Sequence, residues 1–449
     1  MKRKAYEHFL KWKDSNGKTA LLVKGARRVG KSFLVEEFAK NEYKTYILID
    51  FNKADSRVKD IFENNIDDLD SFFLMLQTFY NVKLYKRESV IIFDEVQLFP
   101  RARSCIKYLV EDGRYDFIET GSLVSIYENV KDILIPSEEE SINLYPFDFE
   151  EFLWAMGNET LMPFIQSCYE NKQQLGQALH RKAMEYFRQY LIVGGMPQAV
   201  AEFIETKDFE KVDAVKRRIL NLYRDDIQKH AKGYETKVKM IFDEIPSQLK
   251  NQNRHFKLSA LKEGARYNDY KESMFWLSDA MVVNHCYAST EPNVGLSLNL
   301  ERTLFKCYMA DTGLLISHSF DEKGIVSEEI YKKILFDKLE VNLGMIVENV
   351  VAQMLTASGH KLYFYENNSK TDAASRMEID FLISKSKITN RHNICPIEVK
   401  STKNYTFSSL NKFCKKYSEN IDKTYLIHPE DLREENGIIF LPLYMAGLL

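Results

Sequence analysis

The residues Gly25-Ala26-Arg27-Arg28-Val29-Gly30-Lys31-Ser32 carry the most specific chemistry in the chain. They match GxxxxGK[ST] in full, after an apolar run ending at Val23 and ahead of a helical pattern over Lys31–Lys40. Glycines at both ends of the loop let successive backbone N–H groups turn toward one anion. The helix that follows points its positive end at the same place. Lys31 would neutralise the β- and γ-phosphates of a nucleotide, and Ser32 would ligate Mg²⁺ through its hydroxyl. Phe33 closes the nucleotide-binding stretch. Arg27 and Arg28 either touch nucleotide or face solvent.

A second set completes this chemistry. Ser89-Val-Ile-Ile-Phe93 is a buried-strand run that ends in Asp94 and Glu95. Asp94 would hold Mg²⁺ directly or through water, and Glu95 would polarise an attacking water. Asp116-Phe-Ile-Glu-Thr-Gly-Ser122 is a further strand ending in small polar residues, of which Ser122 or Thr120 would contact the γ-phosphate or orient the water. The Asp-Glu ending and the lack of an Asn-Lys-x-Asp base-reading signature favour ATP over GTP. Arg101, Arg103 and Arg114 are the candidates for an arginine supplied in trans.

A different chemistry is written near the C-terminus. Glu378-Ile-Asp380-Phe-Leu-Ile383 precedes Pro396-Ile-Glu398-Val-Lys400. Glu398 and Lys400 lie two apart on one strand and so point to the same side. Glu348 sits on a preceding amphipathic helix. The pattern resembles the core of PD-(D/E)xK nucleases. That resemblance implies divalent metal held by Glu348, Asp380 and Glu398, with Lys400 acting on the water rather than as a ligand. It leaves open a nuclease scaffold without cleavage, or a simple ion-pair network.

The elements that must position these residues follow from pattern and composition. The 449 residues are 45% hydrophobic and 28% charged, enough for several cores and too apolar for disorder throughout. The 62 Lys and Arg against 65 Asp and Glu make no overall demand for nucleic acid. Six scattered cysteines without a CxxC pair read as cytosolic thiols. No apolar run reaches the length of a membrane span, and the basic start MKRKAYEHFLKWK lacks a signal peptide's apolar stretch, so a cytoplasmic location is expected.

Strands alternate with helices from about residue 18 to 150, as in a parallel doubly wound sheet. A helical stretch follows. Residues 229–271 carry ten Lys or Arg against five Asp or Glu. Two helices and a hairpin in this region read as a winged helix, a fold that contacts DNA or protein. The expected division is 1–150, 151–225 (helical), 226–330 (winged-helix-like) and 331–449 (nuclease-like).

GARRVGKS, SVIIFDEVQ and TGS, with LYPFDFEEFL and LIVGGMPQAV, resemble a prokaryotic family of AAA-type ATPases related to archaeal-type ATPases. The resemblance runs from about residue 18 to the end. It implies an α/β P-loop NTPase sheet, then a helical and winged-helix region, then a restriction-endonuclease-like α/β domain. ATP and Mg²⁺ are the implied cofactors. The expected partners are DNA and either a protein or a second copy of the chain. In this reading Gly194-Gly195-Met196-Pro197 is a structural bend, and Tyr223-Arg224-Asp225-Asp226 pairs internally.

Overall fold

The computed structural model describes residues 1–123, 135–250, 255–293, 295–320, 328–335, 343–368, 375–384 and 393–449. The chain divides into two compact units, Lys2–Tyr145 with Asp279–Met281, and Pro146–Leu449 without those three residues.

The first unit is built on five parallel strands: β1 (Ala20–Lys24), β2 (Thr45–Asp50), β3 (Ser89–Asp94), β4 (Asp116–Gly121) and β5 (Glu139–Asn143). Their order is β2-β3-β4-β1-β5. Helices α1 (Ala5–Lys13), α2 (Lys31–Glu42), α3 (Ser56–Asn64), α4 (Leu69–Tyr80) and α5 (Pro100–Asp112) cover it.

The alternation of side chains along each strand decides the layering. Leu21, Val23, Val90, Ile92 and Ile118 share a core with Phe9 and Trp12 of α1 and Leu34, Val35 and Phe38 of α2. Ala20, Leu22, Ile91, Phe93 and Phe117 face the other way, onto Phe62, Phe72 and Leu109. Burying each large apolar side chain contributes about 1.5–3 kcal/mol, so both faces need helices. Because β4 lies between β1 and β3, its C-terminal end falls between the phosphate loop and the acidic pair. Ligands of open parallel sheets bind at such strand ends. The charged sequence Glu-Glu-Ser-Ile-Asn of β5 gives no apolar signal, and its edge position explains why.

The second unit begins with helices α6 (Phe149–Ala155), α7 (Leu161–Glu170), α8 (Gln177–Val193), α9 (Pro197–Thr206), α10 (Phe209–His230), α11 (Glu235–Lys250) and α12 (Tyr267–Asp279). Strands β6 (Val283–Ser289) and β7 (Leu300–Met309) follow, then α13 (Thr312–Ser319), α14 (Glu328–Leu335) and α15 (Leu343–Ala357). The rest comprises β8 (Leu362–Asn367), β9 (Met377–Ser384), β10 (Ile394–Val399), α16 (Ser408–Lys416), β11 (Thr424–His428), β12 (Arg433–Glu435) and β13 (Ile438–Pro442).

All eight of these strands form one mixed sheet in the order β12-β13-β11-β10-β9-β8-β6-β7. The expected winged-helix hairpin is therefore not a wing standing by itself. β6 pairs in parallel with β8, Cys286 opposite Leu362, and the hairpin is the edge of the larger sheet. Of the two helices expected ahead of the hairpin, the first is a single turn, Leu258–Ala260. The divisions expected at 225/226 and 330/331 fall inside this one unit.

The Gly194-Gly195 bend owes its composition to Asp311. The buried Asp311 carboxylate accepts hydrogen bonds from Gly195 N (2.6 Å) and Leu314 N (2.8 Å). A Cβ on Gly194, whose φ is +80°, would lie 2.3 Å from that carboxylate, and one on Gly195 would lie 2.2 Å from Phe147 O. The turn is structural, as its sequence suggests. Arg224 pairs with Asp243 at 3.1 Å, so the charged stretch around it has an internal partner.

Candidate active site

The phosphate loop joins β1 to α2. Gly30 caps α2 with φ +96°, a left-handed conformation that glycine adopts without penalty. Gly25 is fixed by space: a Cβ there would lie 2.6 Å from Leu144 O and 2.9 Å from Val29 Cγ1. Ala26 and Val29 are buried, Arg27 is half-buried and Arg28 is exposed. Phe33 is 61% exposed at the first turn of α2, so its place in the loop rests on its backbone. Buried Lys31 donates to Gly25 O (2.9 Å) and Ala26 O (3.2 Å), bending back over the loop. Arg3, which belongs to no motif, donates to Val29 O (3.3 Å) and Tyr145 O (2.6 Å) and braces the loop from the N-terminal segment.

The two motif halves meet at Asp94. Ser32 Oγ donates to Asp94 Oδ1 at 2.7 Å, and Thr120 Oγ1 donates to the same oxygen. Thr120 Oγ1 also accepts from Glu95 N at 3.1 Å. Of the two strand-end hydroxyls weighed from sequence, it is Thr120 that links the acidic residues. Ser122 follows the end of β4 and is half-buried. Burial holds the Asp94 carboxyl above its usual range, against the lowering effect of the Thr120 and Ser32 hydrogen bonds. Glu95 sits at φ +55°, a conformation that costs a non-glycine residue about 1–3 kcal/mol and gathers at functional sites. Gln97 Nε2 donates to its carboxylate at 2.5 Å.

A desolvated carboxylate beside a hydroxyl, under an anion-binding loop, suits a hard divalent cation held by Ser32 and Asp94. The residues present fit Mg²⁺ with a nucleotide.

The arginines expected to act in trans differ. Arg103 is buried and makes a two-pronged pair with Glu139, at 2.9 and 2.7 Å. Those contacts also lie beside buried Glu119, whose carboxyl burial raises well above the usual range. Arg103 thus serves its own unit. Arg114 pairs with Asp112 (2.8 Å) and Asp70 (2.6 Å) and lies over the Phe73 ring. Arg101 is exposed at the start of α5.

In the second unit, a cavity of about 370 Å³ is lined by Lys306, Glu348, Glu378, Asp380, Glu398 and Lys400, among others. Sequence reasoning thus named four residues that the fold brings together. It missed Lys306 and Tyr308 of β7. Lys306 Nζ lies 2.9 Å from Glu348 Oε1 and 3.2 Å from Glu378 Oε1, and Tyr308 OH donates to the same Glu348 oxygen. Lys400 Nζ is 2.7 Å from Glu398 Oε1, and Asp380 Oδ2 accepts from Val399 N at 2.8 Å. Burial pushes the Asp380 and Glu398 carboxyls up, Asp380 well above the usual range.

The metal expected at Glu348, Asp380 and Glu398 does not match this arrangement. Among the described residues no three His, Cys, Asp or Glu side chains converge to hold a metal ion. Ammonium groups instead meet Glu348 and Glu398, and a backbone N–H meets Asp380. A lysine within the otherwise apolar run Phe305–Met309 was the sequence signal that could have exposed this.

Among the described residues no helix is long and apolar enough to cross a membrane. Residues 17–153 match an AAA domain. Residues 184–323 match a domain of unknown function (DUF8612), and 343–445 another (DUF4143). No curated protein matches the chain. Solved structures similar to the chain include the following three. A Walker-type ATPase of Pyrococcus abyssi is 16% identical, with a TM-score of 0.39, over 71% of this chain and 95% of the other. PCH-2 of C. elegans is 11% identical, with a TM-score of 0.22, over 62% and 66%. Cdc6p from Pyrobaculum aerophilum is 10% identical, with a TM-score of 0.25, over 76% and 96%. The AAA match and the geometry of the loop agree: residues 17–153 carry an AAA-type domain with a P-loop.

Proposed function

We propose that this protein binds and hydrolyses ATP with Mg²⁺ at the loop Gly25–Ser32, and that the nucleotide state is transmitted to the second unit. The observation that carries this reading is the bridge from Ser32 through Asp94 to Thr120, which ties the loop to the acidic strand end. Mg²⁺ would be held by Ser32 and Asp94 and would supply charge neutralisation at the phosphates.

The chain's own residues do the rest. Backbone N–H groups of the loop and Lys31 bind and orient the triphosphate. Glu95, held by Gln97 and by its backbone bond to Thr120, orients water for in-line attack on the γ-phosphorus. Arg101 is the arginine we assign to reach a neighbouring copy's nucleotide. The test is ATP turnover of the full chain, alone and with DNA, beside Lys31→Ala. Turnover that persists unchanged in Lys31→Ala contradicts the reading.

A second reading concerns what the ATPase drives. The ammonium-paired carboxylates favour a binding module or slow regulatory switch over a cleaving nuclease. DNA as the bound partner rests on the basic stretch 229–271, of which residues 251–254 lie outside the described residues. Incubating supercoiled DNA with Mg²⁺ or Mn²⁺ in every nucleotide state decides it: intact DNA supports the module, and nicking restores the nuclease.

A further inference from the structure

We infer that Arg3 is a positioning residue of the phosphate loop, and that it ties the state of the loop to the last residues of the Lys2–Tyr145 segment. Arg3 is 8% exposed, and burying a guanidinium is costly unless its donors are met. One guanidinium reaches two main-chain carbonyls, Nη1 donating to Val29 O and Nη2 to Tyr145 O. Val29 precedes Gly30, the residue that caps α2. Tyr145 closes the Lys2–Tyr145 segment of the first unit.

The first carbonyl sets the direction of an amide. A trans peptide is planar, so its C=O and the following N–H point opposite ways. Holding Val29 O toward Arg3 therefore turns Gly30 N–H away from Arg3. Amides at a helix N-cap lack an intrahelical partner and can meet an anion. Glycine itself leaves this plane free to rotate, so the donor on the carbonyl is what keeps it in place. The second carbonyl belongs to the stretch that borders the start of the loop. Leu144 N donates to Lys24 O at 2.6 Å, and Leu144 O lies 2.6 Å from where a Cβ on Gly25 would stand. Arg3 thus spans from the end of the loop to the chain beside its first residue. A phosphate drawing on Gly30 N–H acts on the Val29–Gly30 plane, hence on Arg3 and on Tyr145, and by linkage the Tyr145 stretch acts back on nucleotide affinity. A lysine keeps the charge but lacks the planar fork that serves two carbonyls at once.

This inference rests on the reading of the loop as an ATP site. The full chain, as wild type, Arg3→Ala and Arg3→Lys, is compared in Mg²⁺ for ATP binding, for steady-state turnover, and for amide hydrogen exchange at residues 143–145 with and without a non-hydrolysable ATP analogue. Arg3→Ala is expected to bind ATP about tenfold more weakly and to raise KM by about the same factor, with kcat held within about twofold, because lost uniform binding leaves the chemical step alone. Arg3→Lys is expected to fall between the two. With the analogue saturating, exchange at Leu144 and Tyr145 should change in wild type and stay unchanged in Arg3→Ala. ATP affinity equal to wild type in both variants overturns the inference, and so does an exchange response that survives in Arg3→Ala. Wild type that binds no ATP sinks the nucleotide reading and this inference together, whereas wild type that binds ATP beside variants of equal affinity sinks this inference alone. If Arg3→Ala does not fold, Arg3→Lys decides: weaker ATP binding at an unchanged thermal midpoint supports the inference, and wild-type affinity overturns it.

Discussion

Lys31 and Lys306 are both buried, and each sits in a site where sequence reasoning placed chemistry. Their partners separate them. Lys31 donates to two main-chain carbonyls of its own loop. Lys306 is held by two carboxylates from different elements. Exchanging a neutral carbonyl for a phosphate gains charge pairing, whereas leaving a carboxylate in a buried site strands its charge. The phosphate loop is therefore built to take up an anion, whereas the buried ammonium of the C-terminal cavity is already committed to carboxylates. A motif names residue types; what each charged group is already bonded to decides whether its charge is available.

Four substitutions press on this contrast. The largest effect is expected from Glu95→Gln, which should lower turnover by about 10²–10⁴-fold while ATP affinity holds, as for a group acting on the water. Steady-state turnover beside a binding isotherm checks it, and a joint loss of both would reassign Glu95 to binding. Lys31→Ala should weaken ATP by about 100-fold, the value of lost charge-assisted hydrogen bonds, read by equilibrium binding. Thr120→Val should cost about 1–3 kcal/mol of stability, because Asp94 loses a donor and Glu95 N an acceptor in a buried setting. Urea denaturation measures it, and an unchanged midpoint would remove Thr120 from the bridge.

A further effect, read against pH, concerns a third buried lysine. Lys216 donates to Ile192 O at 2.7 Å, and burial lowers its pKa to about 8. The unfolded chain, with a lysine pKa of about 10.4, then holds the proton over a window where the folded chain has released it. Stability of wild type relative to Lys216→Met should thus rise between about pH 8 and about pH 10.4. A flat difference across that window would place the folded pKa near the ordinary lysine value.

The first unit was readable because its chemistry is local. Gly25 to Ser32 are contiguous, and the apolar runs of β1, β3 and β4 announce strands buried on both faces. The edge strand β5 escaped because its Glu-Glu-Ser-Ile-Asn sequence has no apolar period. Arg3 escaped because its partners, Val29 O and Tyr145 O, are main-chain atoms far along the chain. The second unit was legible at the strand that carries Glu398, but not as one sheet. The parallel pairing of β6 with β8 spans about seventy residues, and nothing local in Val283–Ser289 records it. That same pairing places Lys306, from a segment read as a separate domain, in contact with Glu348 and Glu378.

Every proposed activity of the first unit requires the loop Gly25–Ser32 to grip a triphosphate. Calorimetric titration of Mg²⁺-loaded ATP into the full chain measures this most directly, with Lys31→Ala alongside. One saturable site in wild type that weakens about 100-fold in Lys31→Ala is the predicted result. No heat of binding in well-folded wild type, or equal affinity in the two proteins, would contradict it.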